Sequence, residues 1–277
     1  MNILKTRKIG ESMSNETIVN IKKSILHMTH YSKSSHVGTS LSIVDILYVL
    51  YYRIMNIDPA NPKMPNRDKF ILSKGHGSAA LYATLAERGF FNKELLDRYY
   101  IDYGVLPGHL DMEAVQGIEL STGSLGHGLS VGVGMAIANK LDNNDGKVYV
   151  VLGDGECNEG SVWEAVMLAA TLRLQNITVI IDYNKLQGFG RTNEIINQEN
   201  MAERWKAFGW DVIEIDGHNL QQLEKAFNSK AERPKAIIAH TIKGNGISFM
   251  ADQLDWHYRS PNEDQLVAAI KELEGKL

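Results

Sequence analysis

One cysteine, Cys157, stands among the 277 residues, so an intrachain disulfide is excluded and a reducing compartment is expected. Prolines number only six. No repeat, low-complexity tract or Pro/Ser-rich linker divides the chain, which points to a single domain over residues 1–277. Long apolar runs are also missing. The most apolar stretches, around Val131–Ala138 and Ile177–Ile181, have the length of core elements and fall short of the ~18 residues a membrane helix needs. Met1–Lys8 alternates charged and short apolar pieces and lacks the apolar centre of a signal peptide. Positive charge is not in surplus: 29 basic against 33 acidic residues leave a net charge of −4, which argues against a dedicated nucleic-acid binder. With 44% apolar and 22% charged residues, the composition is that of a folded chain. The expectation is a cytoplasmic protein with neither nucleic acid nor membrane as partner.

What is present alternates. Ile18, Ile21, Ile25 and Met28 recur at helical spacing, as do Leu47, Leu50 and Ile54 after a Ser42-x-x-Asp45 capping box. Strands are expected at 70–72, 147–152, 177–182, 211–215 and 235–239, and helices at 78–88, 129–141, 161–174, before Phe208 and at 220–228. Ser260-Pro261-Asn262-Glu263 reads as a helix start, with Ser260 as the cap and proline in the first position. Strands alternating with helices predict an α/β fold: a doubly wound, mainly parallel sheet with helices on both faces. Ligands of such sheets bind at the carboxyl ends of the strands.

Val148-Tyr149-Val150-Val151-Leu152 runs into Gly153-Asp154-Gly155-Glu156-Cys157-Asn158-Glu159-Gly160. A carboxylate between two glycines ends the strand. The glycines let the backbone turn and let a phosphate approach its N–H groups, and the next helix presents its N-terminus to an anion. A carboxylate there repels a bare diphosphate, so a bridging cation is expected, and Mg²⁺ takes carboxylate, amide and carbonyl oxygens. The following strand ends in Tyr183-Asn184-Lys185-Leu186-Gln187-Gly188. A right-handed crossover sets the two strand ends side by side. Asp154, the Asn184 side-chain oxygen and the Leu186 carbonyl then lie within reach of one metal ion.

These segments resemble the thiamine diphosphate-binding half of transketolase. The likeness extends through Ser35-His36-Val37-Gly38-Thr39, Leu72-Ser73-Lys74-Gly75-His76-Gly77, Pro107-Gly108-His109, Ser121-Thr122-Gly123-Ser124-Leu125-Gly126-His127-Gly128, and Thr241-Ile242-Lys243-Gly244-Asn245-Gly246 with Trp256-His257, in order over nearly the whole chain. The resemblance implies the thiamine diphosphate-binding fold and a metal, Mg²⁺ with Ca²⁺ or Mn²⁺ as substitutes, held by Asp154, Asn184 and Leu186. It further implies a cofactor-binding set of Thr39, His76, Gly123, Ser124, Leu125, Asp154, Gly155, Glu159, Asn184, Lys243 and His257. Glu159 matches an acidic residue in a carboxylate network across subunits. Catalytic roles fall to His36, His76, His109 and His257, imidazoles suited to moving protons near neutral pH. The implied reaction transfers a two-carbon ketol unit from a ketose phosphate to an aldose phosphate.

Some positions depart from the family pattern. His127 stands where glutamine is usual and Val37 where proline is common. Cys157-Asn158 is an unusual filling of the metal loop, and Tyr258-Arg259 follows His257 in place of a small residue. Near a helix N-terminus Cys157 has a route to a lowered pKa, although a bystander role is the simpler expectation. The chain is also less than half as long as an ordinary transketolase. It therefore resembles the N-terminal subunit of a split enzyme. A separate C-terminal subunit would supply the pyrimidine side, and the assembly would be a heterotetramer or similar twofold heteromer. Three alternatives stay open: a deoxyxylulose-phosphate synthase relative, an α subunit of a 2-oxoacid dehydrogenase, and a non-catalytic cofactor-binding subunit.

Overall fold

The computed structural model describes residues 2–277, with side chains described from Met13 onward, so the Met1–Lys8 stretch lies outside the described side chains. The chain opens with helix α1 (Asn2–Tyr31), then α2 (Val37–Ser42) and α3 (Val44–Val49), before the first strand β1 (Lys69–Leu72) and α4 (Ser78–Arg88). After a long loop come α5 (His127–Leu141), β2 (Val148–Gly153), α6 (Gly160–Thr171) and β3 (Ile177–Tyr183). The short helices α7 (Thr192–Ile195) and α8 (Met201–Ala207) precede β4 (Asp211–Asp216), α9 (Leu220–Asn228), β5 (Lys235–His240) and α10 (Glu263–Glu274). The sheet runs β1-β2-β3-β5-β4 and every pairing is parallel. This is the doubly wound α/β arrangement expected from the alternation of elements.

Alternate side chains of the strands divide between two cores, as the period of two requires. Phe70, Leu72, Tyr149, Val151, Ile180 and Ile237 face α1, α3, α4 and α9. Ile71, Val150, Leu152, Val179, Ile181 and Ile238 face the other way, with Val133 of α5, Val166 of α6 and Trp205 of α8. Strands β1, β2, β3 and β5 are apolar on both faces because helices cover both, whereas the edge strand β4 exposes Glu214 and Asp216. In register, Gly153 of β2 pairs with Asp182 of β3, so the chain leaves these two strands side by side at the carboxyl edge. Among the described residues no helix is long and apolar enough to cross a membrane.

Local expectations fail at three places. Ser42 does not cap α3: its hydroxyl donates to the Asp182 carboxylate at 2.5 Å, and α3 begins after Ile43 with no side-chain cap. A charge-assisted bond to a buried carboxylate outweighs a backbone cap. The last helix is capped by Asn262, not Ser260. Asn262 and Gln265 form a reciprocal capping box, which satisfies two terminal N–H groups at once. Helix α6 stops at Thr171, short of Leu174, because Leu174 turns into the core and is 1% exposed.

Candidate active site

The tips of β2 and β3 carry the proposed metal ligands. Asp154 is buried, its Oδ1 accepting from the Gly155 N–H at 2.7 Å. Its Oδ2 accepts from the Lys185 N–H at 2.7 Å and the Thr192 hydroxyl at 3.0 Å. The Lys185 contact ties the β2 tip directly to the loop that follows β3. There the Asn184 amide donates to Asp182 at 3.0 Å while its oxygen accepts from the Leu186 N–H at 3.0 Å. Lys243, on the loop after β5, donates to the Leu186 carbonyl at 2.8 Å and to His257 Nδ1 at 2.9 Å. Asp154, Asn184 and Leu186 are thus knitted into one hydrogen-bonded patch with Lys243 beside it. They are three oxygen donors of the kind Mg²⁺ takes.

Four histidines gather next to this patch. His36 lies 5.2 Å from His76, 6.0 Å from His109 and 5.0 Å from His257, ring centre to ring centre, and His76 lies 5.9 Å from His257. They come from four separate segments. His36 precedes α2 in a left-handed conformation (φ 72°) and donates its backbone N–H to the His257 carbonyl at 2.9 Å. His76 sits on the turn after β1, His109 on the loop that follows α4, and His257 on a single turn before α10. Burial, then the charges of neighbouring His109, Lys243 and Lys74, push His36 down to about 4. Burial and Lys243 push His257 down to about 3, and burial drives His76 well below its ordinary value. Burial also lowers Lys243, to about 8, with the Lys74 charge adding to it. Three of these imidazoles are therefore neutral at physiological pH, each offering one donor and one acceptor.

Beneath the patch lies a buried ion pair. Lys74 and Asp182 are 1% and 0% exposed and 2.5 Å apart. Lys74 also donates to the Thr39 hydroxyl at 2.7 Å, while Asp182 accepts from Ser42, Thr241 and Asn184. A second buried acid, Glu156, accepts from the Ser73 hydroxyl, the Gly126 N–H at 2.9 Å and the Gly153 N–H at 3.1 Å. It clamps the end of β1, the start of α5 and the end of β2 together. Lys74, Asp182 and Glu156 received no role from the sequence. Their signal was present as lone charges at the ends of apolar strands with no local partner.

Other expected positions fall around the rim. Gly155 lies under the Gln187 side chain, whose Cδ would stand 2.9 Å from a Cβ placed there. The Gln187 side-chain nitrogen is buried without a hydrogen-bond partner among the described residues. Gly123, Ser124, His109 and Glu159 are exposed, and Leu125 is half-buried. Gly126 takes φ +84°, and a Cβ there would meet that of Glu159 at 2.6 Å, so the turn into α5 demands glycine. His127 is exposed and turns back to the Leu125 carbonyl at 3.1 Å. Cys157 corrects the lowered-pKa route: it is 2% exposed, and burial followed by the Glu156 and Asp154 charges drives its thiol well above the usual value. Helix proximity does not offset the loss of water.

The sequence profile described as "Transketolase, thiamine diphosphate binding domain" matches residues 14–276. The chain belongs to this family. Among its relatives, one of the subunits of an apulose-4-phosphate transketolase from Phocaeicola vulgatus is 42% identical over 259 residues, covering 92% of each chain. One of the subunits of a 6-deoxy-6-sulfo-D-fructose transketolase from a Clostridium species is 46% identical over 242 residues, covering 86% of this chain and 88% of the relative. The solved transketolase from Leishmania mexicana superposes with a TM-score of 0.88 at 28% identity, over 94% of this chain and 41% of its own. Against that enzyme the present chain spans about two fifths of the length.

The residues at the two strand tips fit a metal-bound diphosphate. Among the described residues Asp154 is a buried carboxylate hydrogen-bonded by neutral groups, Gln187 has a donor without a partner beside Gly155, and Lys243 supplies positive charge within the same patch.

Proposed function

We propose that this chain is the thiamine diphosphate-binding component of a two-subunit transketolase. The observation that carries the reading is the junction of the β2 and β3 tips, where Asp154, Asn184 and Leu186 share one hydrogen-bonded patch under Lys243 and four histidines. Asp154, the Asn184 side-chain oxygen and the Leu186 carbonyl would hold Mg²⁺, or Mn²⁺ or Ca²⁺ in its place. Lys243, His76, Gly155 and Gln187 would hold the diphosphate, with Thr39, Gly123, Ser124 and Leu125 along the rest of the cofactor. When bound, thiamine diphosphate supplies the nucleophilic carbon that cleaves a ketose beside its carbonyl and carries two carbons to an aldehyde. The chain's own part is to orient and to handle protons. His257 accepts the Lys243 N–H at Nδ1, which leaves its Nε2 as the donor. His36 and His109 face the same space and bind substrate hydroxyls, exchanging protons with them.

His109, Gly123, Ser124 and Glu159 are exposed, which supports a second polypeptide covering this rim, with Glu159 in its contact. We place the pyrimidine-side half on that partner. The two named relatives act, by their names, on a phosphorylated and a sulfonated sugar. The donor proposed here is a ketose with an anionic end remote from the carbonyl, a class that includes pentose phosphates.

The test is to purify the chain alone and with the polypeptide that co-purifies with it, then assay transfer from a ketose phosphate to an aldose phosphate, with pyruvate as control donor. Ketol transfer by the complex and none by the isolated chain is the expected result. Robust turnover by the chain alone overturns the two-subunit reading. Release of CO₂ from pyruvate with no use of ketoses overturns the reaction.

A further inference from the structure

A fully buried ion pair is a poor source of stability, because removing two charges from water costs about what their attraction returns. Lys74 and Asp182 form such a pair, and what distinguishes it is the set of groups it holds. Lys74 Nζ donates to the Thr39 hydroxyl at 2.7 Å and reaches the Thr39 carbonyl at 3.3 Å. Asp182 Oδ1 accepts from Ser42, on the same helix as Thr39, and from Thr241, two residues before Lys243. Asp182 Oδ2 accepts from the Asn184 amide nitrogen at 3.0 Å. That bond decides which way the Asn184 carboxamide faces. With its nitrogen held by the carboxylate, its oxygen is left to accept from the Leu186 N–H at 3.0 Å.

We propose that Lys74 and Asp182 are positioning residues, a buried pair that sets the Thr39, Asn184 and Lys243 segments in register with one another. The proposal rests on the reading of the site under Proposed function. Both side chains are buried, at 1% and 0% exposed, so the role assigned to each runs through the groups it holds.

The experiment uses the full chain with Lys74→Met, Asp182→Leu and the double variant. Each single change strands a buried charge and lowers the melting midpoint sharply. The double change removes both charges and restores the midpoint to within a few degrees of wild type. Amide hydrogen exchange, measured without cofactor, is the readout that a purely structural role would not move once the fold is restored. The double variant is expected to exchange at least tenfold faster at 184–188 and 241–246, with β2 and β3 unchanged. With thiamine diphosphate added, its Mn²⁺ affinity by electron paramagnetic resonance falls at least tenfold. Wild-type exchange in the double variant overturns the proposal. Thr241→Val leaves the pair intact and Asp182 one donor short, so it serves if the double variant does not fold. It is expected to quicken exchange at 241–246 about threefold, and unchanged exchange there overturns the proposal too. A wild-type chain that binds neither Mn²⁺ nor thiamine diphosphate, alone or with its partner, instead sinks the functional reading and leaves the exchange result standing.

Discussion

Two carboxylates on neighbouring strands, Asp154 at the β2 tip and Asp182 at the β3 tip, are almost equally buried, at 3% and 0% exposed, yet their surroundings push them in opposite directions. Burial raises Asp182, but Lys74, in direct contact, together with the Ser42 and Thr241 hydroxyls holds it below the ordinary carboxylate value. Burial raises Asp154 and the negative charge of Asp182 raises it further, while the groups that donate to it, the Thr192 hydroxyl and the Gly155 and Lys185 N–H, are neutral and pull it down. Asp182 has its counter-charge inside the fold, whereas Asp154 is supplied with hydrogen bonds but, among the described residues, no contacting cation. The difference separates a carboxylate whose charge is met by a cation from one whose charge is met by the dipoles of its donors.

Breaking the internal pair is expected to have the largest effect. Lys74→Met leaves Asp182 buried without its cation and should cost about 3–5 kcal/mol, read as a drop in the denaturation midpoint. Asp154→Ala removes no paired charge, so its fold should survive while metal-dependent thiamine diphosphate affinity falls at least about 100-fold, measured by calorimetry on the chain or its complex. Ligand saturation sharpens the same contrast. Mg²⁺ and thiamine diphosphate at about 100 times their Kd should stabilise the wild-type fold by about 2.7 kcal/mol, and the gain should vanish in Asp154→Ala.

Acid probes the positive surroundings shared by both tips. His36 and His257 are held down to about 4 and about 3 in the folded chain, from 6.5. Above pH 6.5 neither state binds these protons. As pH falls below 6.5 the unfolded chain takes them up first, so stability is fully present at pH 7 and is lost progressively toward pH 4. The melting midpoint should fall between pH 7 and pH 5, and His36→Asn with His257→Asn should flatten that slope. The smallest effect belongs to a control far from both tips. Asn262→Ala removes the α10 capping box and should cost about 1 kcal/mol with no change in cofactor affinity.

Much of this molecule was legible before its shape was known. The five strands were placed to within a residue or two: four are apolar runs on a sheet covered on both faces, and the edge strand β4, though it carries Glu214, keeps Val212, Ile213 and Ile215 as its signal. Asp154 and Asn184 could be set side by side because a right-handed crossover leaves little choice. What escaped was set by distance along the chain. Lys74 and Asp182 lie 108 positions apart, and nothing local announces that they meet. Ser42 looked like a cap because its local sequence is that of a cap, but its partner arrives from β3. Asn262 displaced Ser260 because its partner Gln265 lies on the next turn, a closer pairing than the proline start suggested. For Cys157 only the lesser reading, a lowered pKa, fails, because it weighed the nearby helix end and not the burial of the thiol.

His36 holds a backbone shape that glycine or asparagine adopts more cheaply, with φ at 72°. Laboratory evolution that rewards heat resistance alone should therefore drift at this position, shedding the imidazole to relax the main chain. A library screened only for soluble, thermotolerant protein would enrich sturdy but inert clones, and sequencing codon 36 would reveal the loss before any enzyme assay was run.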